Sequence, residues 1–320
     1  KEGHAIMHRS TLSRETIKSI TTPPKVETRL ATLEFFDGFP SEDTVEKVYD
    51  NLDFMRGVEV FLNTMQGASL YAMRTGFRSI GVEDNTCLIH ESLLDSRTIL
   101  LMGNTDTVYV WSFLDLHEGP VVLETPPNVL GVLNDMWYHY IADFGNAGPD
   151  GGEGGRILVL PPNYDDEVPE GYYVYRSPTY GVLMMGRAFP VEGDPRPATE
   201  NIREYLRVYP LTQAADPPET KLVNGTGLEF NTVHANTYKF YEEINGLVQE
   251  EPAEAMDPET LGLLAAIGIE KGKPFEPDTR MRQILEDAVA TANATARAIS
   301  LRPRMKDVYH YPGESYWSNP

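Results

Sequence analysis

Cysteine is nearly absent from this 320-residue chain, with Cys87 standing alone. A single thiol excludes an intramolecular disulfide and any site built on several thiolates, so cysteine usage leaves the redox compartment open. Long apolar runs are missing as well: nowhere do the ~18 consecutive apolar residues of a membrane helix occur, and no membrane span is expected. Basic charge is in deficit, 48 acidic residues against 27 basic ones giving a formal net charge of −21. A field of that sign repels phosphate backbones and anionic lipid, so nucleic acid is not an expected partner. It favours cationic ligands, or simply a well-solvated surface.

Motifs are scarce too. The seven histidines are scattered, and the one pair at helical i,i+4 spacing, His4 and His8, sits in a loose N-terminal stretch. With no HExxH and no partner cysteine, no metal site or cofactor is encoded locally. No serine is flanked as G-x-S-x-G, so none has the setting of an activated nucleophile. The acidic run Asp165, Asp166 and Glu167 lacks the alternating oxygen ligands of an EF-hand and reads as a solvated turn. The chain starts at Lys1 with neither an initiator Met nor an apolar leader, so either a leader was removed or the chain begins internally.

What is present is enough apolar and aromatic residue for a sizeable core, and a length that suggests about two units at ~150 residues each. Residues 1–25 form a polar arm ending at Pro23 and Pro24, flexible or polyproline-like. VETRLATLEFF (26–36) reads as a short strand or an arm, stopped by the turn formers in DGFP. From Ser41, a capping residue, a helix is signalled by Val45, Val48, Leu52, Met55, Val58, Leu62 and Met65 at three- and four-residue spacing. Gly67 reads as a break before ASLYAMRTGF resumes the helix. Residues 97–190 carry short apolar or β-branched runs separated by turn formers at roughly ten-residue intervals, the pattern of an antiparallel sandwich or barrel. GNAGPDGGEGG (145–155) invites a phosphate-loop reading, but no Lys-Ser/Thr and no helix follow it, so a long hairpin loop is expected. Helices are expected over 197–211, 235–249, 257–268 and 278–300, the last two capped by Asp257 and Asp278, with a polar linker from 212 to about 226.

The expected fold is therefore α+β: a jelly-roll-like antiparallel β-sandwich with an N-terminal helical part and a C-terminal helical segment. Its parts are the arm over 1–25, a helix-plus-sandwich domain over 26–211, and a linker with helices over 212–320. Four aromatics crowd the last twenty residues with little to pack on, which suggests that a following domain is missing.

The densest set of chemistry-bearing side chains lies in RTILLMGNTDTVYVWSFLDLHEGPVVLE (97–124). In strand geometry Asn104 and Asp106 face one way, and Thr105, Thr107, Tyr109 and Trp111 the other. Asn104 and Asp106 either orient a ligand, with Asp106 a general base should burial raise its pKa, or satisfy loop N–H groups as Asx turns. In NDMWYHY (134–140), Asp135, Trp137 and His139 alternate onto one face. Together they make a pocket wall with an imidazole able to shuttle protons, or a packed Trp with a hydrogen-bonded His. Arg176 and Arg187 end two strands and would pair with a substrate carboxylate or with Asp106 or Asp135.

Several ordered blocks, among them DSRTILLMGNTDTVY, FLDLHEGPVVLETPPNVLGVLNDMW and DFGNAGPDGGEGGRILVLPPNYDDEVPEGYYVYRSPTYG, resemble the bacterial domain-of-unknown-function family 1254. Its members usually carry a region of the domain-of-unknown-function family 1214 after it. The resemblance implies a β-rich first domain, a helical segment and a second sandwich, in a periplasmic or secreted protein that forms homo-oligomers; a cytoplasmic setting stays open. It supplies no reaction. Two function classes follow. One is a ligand-binding or scaffold-like protein of the envelope, holding a small polar molecule through Asn104, Tyr109, Trp111, Asp135, Trp137, Arg176 and Arg187. The other is a hydrolase or other acid–base enzyme in which Asp106 and His139 transfer protons.

Overall fold

The computed structural model describes residues 12–100 and 103–318, and the contacts divide the chain into two units, Lys1–Met55 and Arg56–Pro320.

The first unit contains helix α1 (Arg14–Ile20), strands β1 (Lys25–Glu27), β2 (Thr32–Phe36) and β3 (Phe39–Pro40), and the first turns of helix α2 (Glu42–Ser79). Part of the expected arm is thus helical: Ser13 accepts from the Thr16 N–H and caps α1. The three strands form one antiparallel sheet. Asp37 and Gly38, both at positive φ (49° and 85°), give the Asp-Gly turn that matches the twist of a tight hairpin. Ser41 caps α2 as expected, accepting from the Thr44 N–H at 3.2 Å. The buried Thr44 hydroxyl accepts the Glu34 N–H at 2.8 Å, tying β2 to the helix start.

The second unit is a mixed α/β arrangement whose sheets are mostly antiparallel. After the remainder of α2 come β4 (Cys87–Ile89), β5 (Thr98–Ile99), β6 (Val108–Asp115), β7 (Val121–Thr125), β8 (Val129–Asp135), β9 (Tyr140–Gly145), β10 (Gly155–Leu160), β11 (Tyr173–Arg176) and β12 (Gly181–Ala188). They are followed by α3 (Arg196–Tyr205), β13 (Arg207–Pro210), β14 (Leu222–Asn224), β15 (Phe230–Asn231), α4 (Lys239–Glu250), α5 (Pro258–Ala266) and α6 (Thr279–Leu301). Six strands pair in the order β14-β4-β6-β12-β8-β9, and four in the order β11-β10-β7-β13. The edge pairs β14–β4 and β10–β11 are parallel, so the wiring does not establish the jelly roll expected from the sequence.

Alternation along β6 explains the layering. Val108, Val110 and Leu114 join an apolar cluster with Val121 and Leu123 of β7 and Ile157 and Val159 of β10, which ties the two sheets together. Tyr109, Trp111 and Phe113 point the other way and join a second cluster with Phe61, Leu70 and Phe77 of α2, Ile244 and Leu247 of α4, and Leu285 of α6. The period of two along a strand with both faces covered produces this division.

Four expectations are corrected here. First, α2 runs unbroken through Gly67. Its fully buried line is Gly57, Val60, Phe61, Thr64, Gly67 and Ala68, while Val58, Leu62 and Met65 are only half-buried. A Cβ on Gly67 would lie 2.6 Å from Trp137 Cε3 and 2.9 Å from Leu247 Cδ2, so the glycine lets other elements close in rather than breaking the helix. Gly57 does the same beneath Ala288 and Leu285. Second, the glycine-rich segment joins β9 in one sheet to β10 in the other, not two paired strands. The buried carboxylate of Asp150 organises it, accepting from Gly145 N–H at 2.8 Å and the Thr125 hydroxyl at 3.2 Å. Third, the expected helix over 197–211 stops at Tyr205, because Arg207–Pro210 pairs with β7. Fourth, the linker contributes edge strand β14. The caps of Asp257 and Asp278 on α5 and α6 are as expected. No described helix is long and apolar enough to cross a membrane.

Candidate functional site

The sheet register decides which of the anticipated residues meet. Val108 at the start of β6 and Val129 at the start of β8 both pair with Ala188; Leu114 and Asp135 near their far ends both pair with Val182. The two strands therefore run parallel on either side of β12. Residues near 106 and near 139 lie at opposite ends of the sheet, about 20 Å apart at ~3.3 Å per residue.

At the near end, Asn104 acts as a turn organiser. Its Oδ1 accepts from the Asp106 and Thr107 N–H groups at 3.0 and 3.1 Å and from the Thr107 hydroxyl at 3.0 Å, and its Nδ2 donates to Tyr109 Oη at 3.1 Å. That is the Asx-turn alternative. The Asp106 carboxylate is exposed and has no hydrogen-bond partner among the described residues. Tyr109 and Trp111 stack at 4.9 Å within the core, and Arg187 sits opposite Tyr109 in the register. Arg176 belongs to the other sheet, where its guanidinium donates to the carbonyls of Pro161 and Tyr164 at 3.2 and 2.6 Å. The Asp106–His139 and Asp106–Arg176 partnerships are thus not made, because non-local register separates them.

At the far end the NDMWYHY segment builds a compact anion-centred turn. Asp135 is fully buried, and its Oδ1 accepts from both Trp137 N–H and His139 N–H at 2.8 Å. Its Oδ2 lies 3.0 Å from His139 Nδ1, while the His139 side chain remains 67% exposed. Backbone bonds from Asp135 N–H to the His139 carbonyl and from Tyr138 N–H to the Asp135 carbonyl, both 2.9 Å, close the loop. Tyr138 is held at φ +67°, a conformation that costs a bulky L-residue on the order of 1–3 kcal/mol and persists only where its surroundings impose it. One buried carboxylate therefore fixes the positions of an indole, a phenol and an imidazole. With Nδ1 facing Asp135, the imidazole leaves Nε2 to the outside.

This turn forms one wall of a cleft of about 280 Å³ whose other walls are Asn63, Gln66 and Gly67 of α2 and Met256, Asp257 and Thr260 at the start of α5. Asn63, Gln66 and Gly67 share one helix face through their three- and four-residue spacing. Thr260 donates both its N–H (2.9 Å) and its hydroxyl (2.7 Å) to Asp257, which holds that carboxyl below its ordinary pKa and keeps it ionised. The hydroxyl is thereby committed to the cap. Cys87 is fully buried elsewhere, and burial pushes its thiol up to about 12, so it is no nucleophile near neutral pH. Among the described residues no three His, Cys, Asp or Glu side chains converge as a metal site.

Of the anticipated set, then, Asp135, Trp137 and His139 meet in the cleft, and Asn104, Asp106, Tyr109, Trp111, Arg176 and Arg187 lie elsewhere. The sequence reading missed Asn63, Gln66, Tyr138 and Thr260. Asn63 and Gln66 carried a signal, as amide residues three apart within the uncharged stretch from Val60 to Met73. Tyr138 carried none, because its role depends on a positive φ imposed by Asp135.

Residues 85–210 match the family model "Protein of unknown function (DUF1254)", which covers strands β4 to β13 and the anion-centred turn. The domain-of-unknown-function family 1214 region is not matched. The fold is similar to that of the VPA0106 protein from Vibrio parahaemolyticus, at 19% identity and a TM-score of 0.53 over 79% of this chain. The chain spans 60% of the length of that protein. An uncharacterised protein from Burkholderia cenocepacia aligns over 80% of this chain and 61% of its own length at 13% identity, with a TM-score of 0.29. No curated protein matches.

Proposed function

We propose that the second unit is a binding module for a small polar molecule, with the cleft at His139 as its site. The observation that carries this reading is the buried Asp135 carboxylate, which presents an anchored imidazole beside Trp137 and Tyr138 over a cleft whose other walls include the Asn63 and Gln66 amides, the Asp257 carboxylate and Met256. Concave sites of this kind use a few convergent polar groups against an aromatic wall. The cleft holds no activated hydroxyl or thiol, which favours reversible binding over covalent catalysis. A direct test is to follow the His139 imidazole by NMR while titrating small polyols, amides and amines. Saturable shifts at His139 that vanish in His139→Gln support the reading, and shifts confined to other histidines sink it.

The acid–base alternative is favoured by one feature: Asp135 Oδ2 holds His139 Nδ1 and leaves Nε2 outward, as a carboxylate behind a catalytic base orients the ring. In that reading the proton couple is His139 with Asp135, not with Asp106. A periplasmic or secreted setting and a homo-oligomer complete the proposal and rest on the family resemblance alone; cell fractionation and sedimentation of the full protein test them.

A further inference from the structure

The His139 cleft has a neighbour. A second hollow of about 220 Å³ is lined by Leu70, Met73, Leu100 and Val233, with Gln66, Ser69, Tyr138 and Thr232. Gln66 and Tyr138 line both. The two hollows therefore adjoin along α2, with Tyr138 and Gln66 as the wall they share.

The chemistry on either side of that junction differs. The first lobe offers Asn63, Gln66 and His139, and its one carboxylate at the surface, Asp257, is kept ionised by its own cap. Asp135 stands behind His139. Among the described residues, no Lys or Arg lines either lobe. The second lobe is mainly aliphatic, with thioether and branched side chains and two small hydroxyls at its margin. An anionic head would meet the Asp257 carboxylate with no cation to pair with, whereas a hydroxyl, amide or ammonium would find acceptors.

We propose that the site takes a single-chain amphiphile whose uncharged or cationic polar head lies against His139, Asn63 and Asp257 and whose short apolar tail lies past Tyr138 against Leu70, Met73 and Leu100. This inference rests on the cleft reading above and adds the ligand class. At ~30 Å³ per small group, the apolar lobe accommodates about seven methylenes.

The test uses the full chain and three homologous series, n-alkylamines, n-alcohols and n-alkanoates from C3 to C10. His139 imidazole shifts and Trp fluorescence are the readouts. Affinity of amines and alcohols should rise about three- to fourfold per methylene and level off near C7 or C8. Alkanoates of equal length should bind at least tenfold more weakly. Leu100→Asp and, as a second variant against misfolding, Met73→Gln should flatten the length dependence while short amines still shift His139. Length-independent binding that still shifts His139 overturns the amphiphile and leaves the cleft reading standing. Alkanoates that bind better than amines overturn the head assignment. No shift at His139 with any series overturns both readings.

Discussion

Two Asp–His pairs stand at the same end of the six-stranded sheet, on strands separated only by β12, and they differ in everything but composition. Asp135–His139 joins a fully buried carboxylate to an exposed imidazole at 3.0 Å. Asp115–His117 is shorter, 2.6 Å, yet its partners are 36% and 49% exposed, and His117 lies stacked on Tyr180 at 4.4 Å. Among the described residues, the Asp115 carboxylate accepts only from His117, through its N–H and Nδ1. Asp135 accepts from three donors on two residues and holds a whole turn. Distance alone would rank the second pair first; burial and the number of dependent donors reverse the order, because a solvated pair is replaced by water at little cost and a buried acceptor is not.

The largest expected effect separates the two carboxylates. Asp135→Ala strands the Trp137 and His139 N–H groups and frees Tyr138 from its positive φ, and should lower stability by about 2–4 kcal/mol. Asp115→Ala should cost less than about 1 kcal/mol. Urea unfolding of both variants measures the difference, and equal midpoints would falsify the ranking.

His90 extends the comparison to a histidine with no carboxylate in contact. It is 1% exposed, its Nδ1 has no partner, and Nε2 lies 3.4 Å from the Thr98 hydroxyl. Burial lowers its pKa to about 4, only partly opposed by Asp95. The unfolded chain takes up this proton near pH 6.5 and the folded one only near 4, so the associated stability is complete above about 6.5 and is lost as pH falls towards 4. The loss amounts to about 3 kcal/mol at 1.36 kcal/mol per unit. Wild type should lose that much more than His90→Gln between pH 7 and pH 4; parallel pH profiles would rule it out.

A smaller effect probes how the anchored turn is seated. Gly67→Ala pushes a methyl into Trp137 and Leu247 and should cost about 1–3 kcal/mol, with a shift in Trp emission. Gly262→Ala on α5, where a Cβ meets nothing within 4 Å, should instead stabilise by up to about 1 kcal/mol. Thermal melts of the pair should therefore move in opposite directions. A Gly67→Ala melt at the wild-type temperature would mean that Trp137 does not press on α2.

These cases show what the sequence could convey. Locally encoded features were readable: the caps at Ser41, Asp257 and Asp278, the stop at DGFP, the β-rich run, and the alternation of Asp135, Trp137 and His139. Features set by distant partners were not. Gly67 looks like a break until Trp137 is known to cross it, and RVYP extends a helix until β7 is available to pair with it. Within the stretch 97–124, β6 does lie in the interior of the six-stranded sheet, but its Asp106 and the turn at His139 are held apart by the register of β6 and β8 on β12, which no short window contains. The dense polar loop drew attention because its side chains are close in sequence. Asn104 spends them on its own turn.

The smallest effect on stability should be the most informative about function. His117→Gln should change stability by no more than about 0.5 kcal/mol, and His139→Gln by about 1 kcal/mol, because it takes one donor from the buried Asp135 carboxylate. Both variants keep the polar, planar character of the side chain, and neither strands a buried donor, so binding can be compared on intact folds. Asp135 fixes the His139 ring over a cleft; nothing buried fixes His117 in the same way. Hexylamine affinity, read through Trp137 fluorescence, should therefore fall at least tenfold in His139→Gln and stay within twofold of wild type in His117→Gln. Were the two variants to lose affinity equally, the ligand would be answering to the acidic surface they share, and burial of the carboxylate would have no bearing on which Asp–His pair makes a site.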